Sequence, residues 1–427
     1  MTRRRVFEWI VTVMVGIVAI AFVLNRGLFT QPTHSKAYKG SASASAIAID
    51  GAAHTLLTHM SQDEKIGQLM VPMAFDDNSM DAQNGDMRTL IQTYHVGGIF
   101  IPTFSMSANE LHNYIAQMQA TSKIPLIIST DFEGGGWNTL DAEVGSRPSP
   151  WGVGQSGDTK QAYSKGIGDA QLLTQLGLNV DYAPVVDVLT NPNNPILQGR
   201  TFGTTPDVVT SMAAAYIDGL RDGGVAGCLK HFPGLGASTV DPHKSLPTVD
   251  RSADQLKSID LKPYRDLLAQ NRVPMIMTTH MIIPSLDPDL PTSISPKVIN
   301  GLLRHDMGYD GVIVSDALFM GGLSYKYNIP TAGLLAFEAG TDMLLGAGGA
   351  SDVLATINLI KDAMGRNEIT QEYLDNAVLR ILRFKLQWKI IPPITVSAAI
   401  PQNTNTVAFI APLPENVPTR KVATNAA

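Results

Sequence analysis

The chain has 427 residues, 44% of them hydrophobic and 16% charged, with a formal net charge of -6. That is enough for one large domain, and the acidic balance argues against nucleic acid as the main partner. A single cysteine, Cys228, excludes an intramolecular disulfide; set in an apolar strand, it reads as a small buried hydrophobe.

Arg3, Arg4 and Arg5 precede an apolar run from Val6 to Leu24, interrupted only by Glu8 and Thr12. A basic flank before such a run is an export signal or a membrane anchor, with the arginines on the cytoplasmic side. The expectation is an anchor over residues 1–30, which puts the rest of the chain outside the cell; a cleaved signal would make the protein secreted. Residues 31–55, rich in Ser, Ala, Gly and Lys, read as a flexible spacer.

Beyond it, short apolar runs alternate with helical patterns. Ser61-Gln-Asp-Glu64 is a capping box that opens a helix. The candidate strands are 69–74, 96–101, 125–130, 180–183, 227–231, 275–279, 311–315 and 343–345. Near the end, Pro330 and Thr331 start a helix that Gly340 stops. Residues 369–388 carry apolar positions at helical spacing. Continuous apolar strands separated by helices signal a parallel sheet buried on both faces. Eight such units predict an α/β protein, a (β/α)8 TIM-like barrel over 56–391 forming a single catalytic domain. Residues 392–427, rich in Pro, Thr, Asn and Ala, read as a loosely ordered tail.

Barrel enzymes place their chemistry at the C-terminal ends of the strands. The polar residues there are Asp131, Asp187, Lys230, His231, His280 and Asp316. Lys230-His-Phe-Pro-Gly234 leaves a strand and breaks into a loop that holds Asp241 and His243 two residues apart. In an extended segment these would point the same way, so that the carboxylate holds and polarises the imidazole. Asp316 ends an apolar strand; by position alone it is either a nucleophile or a helix N-cap. Lys230 could equally form an ion pair inside the barrel, and Arg200 one at the surface. His280 either lines the pocket or satisfies a neighbour. No histidine spacing suggests a metal site, and no cofactor is implied. Gly134-Gly-Gly136 lacks the Lys-Ser/Thr of a phosphate loop and reads as a tight turn.

Six blocks occur in order between Ser61 and Trp388: Val96-Gly-Gly-Ile-Phe100, Asp131-Phe-Glu-Gly-Gly135, Asp181-Tyr-Ala-Pro-Val-Val-Asp187, Gly199-Arg-Thr-Phe-Gly203, Lys230 to Pro247, and Gly311-Val-Ile-Val-Ser-Asp316. Together they resemble glycoside hydrolase family 3, in its β-N-acetylglucosaminidase branch. The resemblance implies the same barrel, with Asp316 as nucleophile, His243 as acid/base and Asp241 as its partner. It also implies that Asp131, Arg200, Lys230 and His231 bind sugar. The expected activity is an exo-acting, retaining β-N-acetylhexosaminidase on peptidoglycan fragments (muropeptides) or chitin oligosaccharides, with a monomeric catalytic domain. The alternatives are a β-glucosidase or β-xylosidase of the family, a phosphorylase variant, and a non-catalytic wall-binding barrel. Three departures from the family's pattern stand out. Gly136-Trp-Asn-Thr-Leu140 replaces an arginine-bearing stretch, Leu235 stands for a histidine, and Pro242 stands for a serine.

Overall fold

The structure is a computed structural model that describes residues 38–74, 87–103 and 106–392, with side chains from residue 45. The chain divides into two compact units, Met1–Asp50 and Gly51–Ala427. The anchor expected over 1–30 and the tail expected beyond 392 lie outside the described residues. Among the described residues, no helix is long and apolar enough to cross a membrane.

The spacer expectation is corrected in part, because residues 38–55 belong to a helix, Tyr38–Thr58. Alanine recurs at 42, 44, 46, 48, 52 and 53. It is the best helix former and outweighs the Gly and Ser content on which the spacer reading rested.

The second unit is α/β. Its strands, in chain order, are β1 (Met70–Val71), β2 (Gly98–Phe100), β3 (Ile127–Thr130), β4 (Phe132–Gly134), β5 (Trp137–Asn138), β6 (Val180–Asp181), β7 (Ala226–Gly227), β8 (Leu229–Phe232), β9 (Met275–Thr278), β10 (Val312–Val314) and β11 (Leu344–Leu345). Each of the eight expected strands overlaps an observed one; β7 and β8 share the fifth, parted only by Cys228. Pairing is parallel from β2 through β3 and β6 to β7, and from β8 through β9 to β10. Parallel bridges join Met73 to Phe100, Val185 to Lys230 and Val314 to Met343. The last strand, β11, pairs in parallel with the first, β1. These parallel-paired strands are buried throughout, as strands covered on both faces are.

Helices lie between the strands. Ser61 caps its helix with the expected reciprocal bonds to Glu64. The helix Ile329–Ala339 is capped by Asn328 and ends at Gly340, whose φ of 114° is open to glycine but strained for other residues. The helix Gln371–Gln387 buries Leu374, Ala377, Val378, Ile381 and Leu382, the stripe that its spacing predicts.

One element was absent from the sequence reading. β4 and β5 form a short antiparallel hairpin directly after β3. It turns through Gly134 and Gly135, at φ 95° and 63°. A Cβ at Gly134 would also come within 2.3 Å of the Pro148 carbonyl.

Candidate active site

The site is built where β3, β8 and β10 end. Lys230 and His231 leave β8 as adjacent buried residues. The Lys230 ammonium lies 2.6 Å from Asp131 Oδ1 and 2.6 Å from Glu133 Oε1. Glu133 is carried in by the hairpin, and Arg200 grips it with two parallel bonds, each 2.7 Å. Burial pushes the Glu133 carboxyl up, but the charges of Arg200 and Lys230 outweigh it and hold the pKa at about 2. Burial likewise works against both cations, and their carboxylate neighbours raise them above their ordinary values. Glu133, Arg200 and Lys230 are therefore held in their charged forms, and Asp131 is the most open member of the network, with 36% of its side chain exposed.

His231 ties this network to Asp187. Its Nδ1 is 2.7 Å from Asp187 Oδ2, and its Nε2 is 3.3 Å from an Arg200 nitrogen. A guanidinium only donates. Nε2 therefore accepts, and the His231 proton sits on Nδ1 and goes to Asp187. The other Asp187 oxygen accepts the Leu235 N–H at 2.6 Å. Leu235 itself is buried, so what it offers this site is its backbone.

His243 and Asp241 meet as expected, at 2.7 Å between Nδ1 and Oδ1. The reason differs from the extended pairing that the sequence suggested. Residues 242–244 form a turn, in which Asp241 Oδ1 also accepts the His243 N–H at 2.9 Å. The Asp241 carbonyl accepts from Lys244 and Ser245. Proline at 242, with φ fixed near the turn value, suits this geometry. With Nδ1 given to Asp241, Nε2 is the nitrogen that can exchange a proton with a substrate. The ring is 48% exposed.

Asp316 follows β10. Its N–H bonds the Thr278 carbonyl at 2.9 Å, and its Oδ1 takes the Ala317 N–H at 2.9 Å. Burial raises its pKa, but the neighbouring imidazoles of His280, His231 and His243 and the Ala317 N–H bring it below the ordinary carboxylate range. It stays ionised, as a nucleophile must. His280 is wholly buried and spends both ring nitrogens. Nε2 donates to the Ala317 carbonyl at 3.1 Å, and Nδ1 accepts from Ser293 at 2.7 Å. Burial depresses its pKa. It braces the loop beside Asp316.

Trp137, on β5, joins the groups. Its ring lies 4.3 Å from the Arg200 guanidinium carbon and 6.5 Å from the His243 ring. The stretch that departs from the family's pattern thus sits between the sugar-binding candidates and the acid/base candidate. Under the hairpin, Asp181 accepts the Phe132 N–H at 3.0 Å. Tyr216 stands 2.9 Å from Asp181 and 3.0 Å from Asp169. One phenol proton cannot serve two carboxylates. Burial and the Asp169 charge raise the Asp181 carboxyl to about 7, while the phenol of Tyr216 donates to it.

Asp131, Arg200, Lys230 and His231 thus share one network, Asp241 and His243 form a pair beside it, and Asp316 is influenced by a histidine of each. Sequence reasoning left out Glu133, although it lies inside the Asp131–Gly135 block, and offered Asp187 only as an alternative ion-pair partner for Lys230, whereas it holds His231. Among the described residues, no group of three or more His, Cys, Asp or Glu side chains is placed to hold a metal ion.

The model of the glycosyl hydrolase family 3 N-terminal domain matches residues 61–384. "Beta-hexosaminidase A" of Pseudoalteromonas piscicida is 33% identical over 350 residues, covering 75% of this chain and 57% of that protein. "Beta-hexosaminidase LpqI" of Mycobacterium bovis is 33% identical over 334 residues, 76% of this chain and 83% of that protein. The solved structure of a family 3 β-N-acetylglucosaminidase from Paenibacillus sp. superposes with a TM-score of 0.74 at 32% identity, over 82% of this chain and 66% of that one. The chain spans little more than half of the first of these proteins and most of the second.

Proposed function

The chain belongs to glycosyl hydrolase family 3, and on that premise we propose that it is an exo-acting, retaining β-N-acetylhexosaminidase. The observation that carries this reading is the Asp241–His243 pair, set on a turn beside an ionised aspartate. An Asp316 oxygen attacks the anomeric carbon as the bond to the leaving oxygen breaks. The leaving oxygen takes the proton from His243 Nε2. The neutral imidazole then removes a proton from water, which displaces Asp316 from the sugar. The carboxylate of Asp241 keeps a proton on Nδ1 and orients the ring so that Nε2 faces the substrate.

Asp131, Lys230, Arg200 and His231 receive the sugar. Asp131 presents its open carboxylate to hydroxyl groups, while Lys230 and Arg200 keep Glu133 and Asp131 in register. The parallel pairings that return from β11 to β1 support reading the fold as the (β/α)8 barrel. The substrate is a terminal β-linked N-acetylglucosamine of a peptidoglycan fragment or chitin oligosaccharide, and the catalytic domain acts as a monomer. The triple arginine before the apolar run supports an exported enzyme held at the membrane.

Turnover of a chromogenic β-N-acetylglucosaminide, followed by labelling with a mechanism-based fluorinated sugar, tests the reading. The label should appear on Asp316, and Asp316→Asn should lose turnover of unactivated substrates while remaining folded. A label elsewhere would remove the assignment.

A further inference from the structure

We propose that Gly321 and Gly322 are positioning residues for the acid/base histidine. This pair docks the His243 turn onto the loop that carries Asp316. The proposal rests on the roles of His243 and Asp316 given above.

The turn that holds His243 needs an outside anchor. His243, Lys244 and Ser245 are all exposed, and only Pro242 among their neighbours in the turn is buried. Its internal bonds shape the turn but do not place it over the site. The placing contacts come from the loop after β10. The Gly321 N–H bonds the His243 carbonyl at 3.1 Å, and the Gly322 N–H bonds the Pro242 carbonyl at 2.9 Å. Both donors open the short helix Gly321–Ser324. The first N–H groups of a helix have no partner within it, and here the carbonyls of the acid/base turn supply that partner.

The approach is too close for a side chain. A Cβ at Gly321 would lie 2.6 Å from the Lys244 carbonyl oxygen and 2.7 Å from that of His243. At Gly322 it would meet His280 Cβ and the Pro242 oxygen, each at 3.1 Å. Neither glycine has a positive φ. Backbone conformation therefore admits alanine at both, and what excludes it is the turn itself. The same loop begins with Asp316, fixed to Thr278, and its Ala317 carbonyl is held by His280. Nucleophile and acid/base turn are thus referenced to one short piece of chain.

Gly321→Ala in the full chain should lift the turn without touching Asp316. Misplacing a catalytic group by about 1 Å costs on the order of 100-fold. That loss should appear for a disaccharide with a sugar-alcohol leaving group. A dinitrophenyl glycoside needs little protonation and should lose no more than about 3-fold in the glycosylation step. The fluorinated sugar should label Asp316 at the parent rate. Gly322→Ala, with its looser contacts, should show the same pattern at smaller amplitude, and it serves if Gly321→Ala does not fold. Hydrogen exchange gives a readout independent of activity: the amides of 321 and 322 should be protected in the parent and exposed in Gly321→Ala. Parent-like kinetics in both variants, equal losses for both leaving groups, or unprotected amides in the parent would overturn the proposal. If the parent turns over no glycoside, the functional reading fails with it, and amide protection alone then decides whether the glycines dock the turn.

Discussion

Lys230 in β8 and Lys385 in the last helix are both buried, at 2% and 0% exposure. Burial works against the charge of each, yet the outcomes are opposite. Lys230 lies between Asp131 and Glu133, and their charges hold its pKa above the ordinary value. Lys385 donates at 2.7 Å to the neutral side-chain carbonyl of Gln68, just before β1, and burial drives its pKa down to about 7. The first lies where strands end, the second where one begins. In the barrel proposed for this chain, function belongs to the former face and stability to the latter. The difference between the two lysines is the pair of carboxylates at Lys230, Asp131 after β3 and Glu133 on the hairpin, where the described partner of Lys385 is a neutral amide.

Breaking the upper arrangement should have the larger effect. Lys230→Met removes two charge-assisted bonds from Asp131 and Glu133. Each such bond is worth about 1.5–3 kcal/mol. Arg200 still compensates Glu133, so the fold should survive. Asp131 loses its orientation, and kcat/KM should fall roughly 10- to 100-fold. On the proposed role, in which Lys230 holds sugar and moves no proton, the loss should be the same for good and poor leaving groups. A loss confined to poor leaving groups would place Lys230 in the acid/base machinery instead.

The lower lysine should do the reverse. Its unfolded-state pKa is near 10.4 and its folded value is about 7. Between these limits the unfolded chain binds more protons, so stability rises with pH across that window. The penalty for burying the lysine is present in full below pH 7 and gone by about pH 10.4. Lys385→Met should therefore stabilise the protein at pH 7 by about 2–3 kcal/mol, after about 1 kcal/mol is lost at Gln68. Turnover should not change. Thermal melts at pH 7 and pH 10 give the check: the variant's advantage should shrink as pH rises. An advantage that is constant with pH would mean that Lys385 is charged in the folded protein.

How much of this was legible in the sequence follows from how local each feature is. The strands, the Ser61 capping box and the stop at Gly340 are written in residues a few positions apart, and each appears where local chemistry puts it. The Asp241–His243 pair is local too, although it forms through a turn whose Pro242 looked only like a departure. The ion-pair network joins residues 67 and 99 positions apart. No periodicity encodes which carboxylate meets which cation across such distances. Glu133 was missed because its block reads as a glycine-rich loop, and only the hairpin pairing shows that it turns inward. Lys385 was missed because it lies within the amphipathic pattern of its helix, where a lysine reads as solvated. The 38–55 segment was misread because composition cannot separate an alanine-rich helix from an alanine-rich linker.

The smallest effect should come from the aromatic that joins the two parts of the upper region. Trp137 is 38% exposed, and an exposed tryptophan on a hairpin tip could be no more than surface. Its neighbours suggest otherwise. A guanidinium over an indole face is worth about 0.5–1 kcal/mol when exposed and about 2 when desolvated. The His243 ring, at 6.5 Å and 28° to the indole, lies within the range of favourable aromatic pairs, worth about 0.5–1.5 kcal/mol. Arg200 remains fixed by its two bonds to Glu133 without the indole, and His243 by Asp241. Trp137→Ala should therefore cost about 1 kcal/mol in stability and roughly 3- to 10-fold in kcat/KM. Trp137→Phe should recover most of both, because a ring face is what the two neighbours use. A loss beyond about 100-fold would exceed what contacts with Arg200 and His243 can supply, and Trp137 would then have to touch the substrate itself.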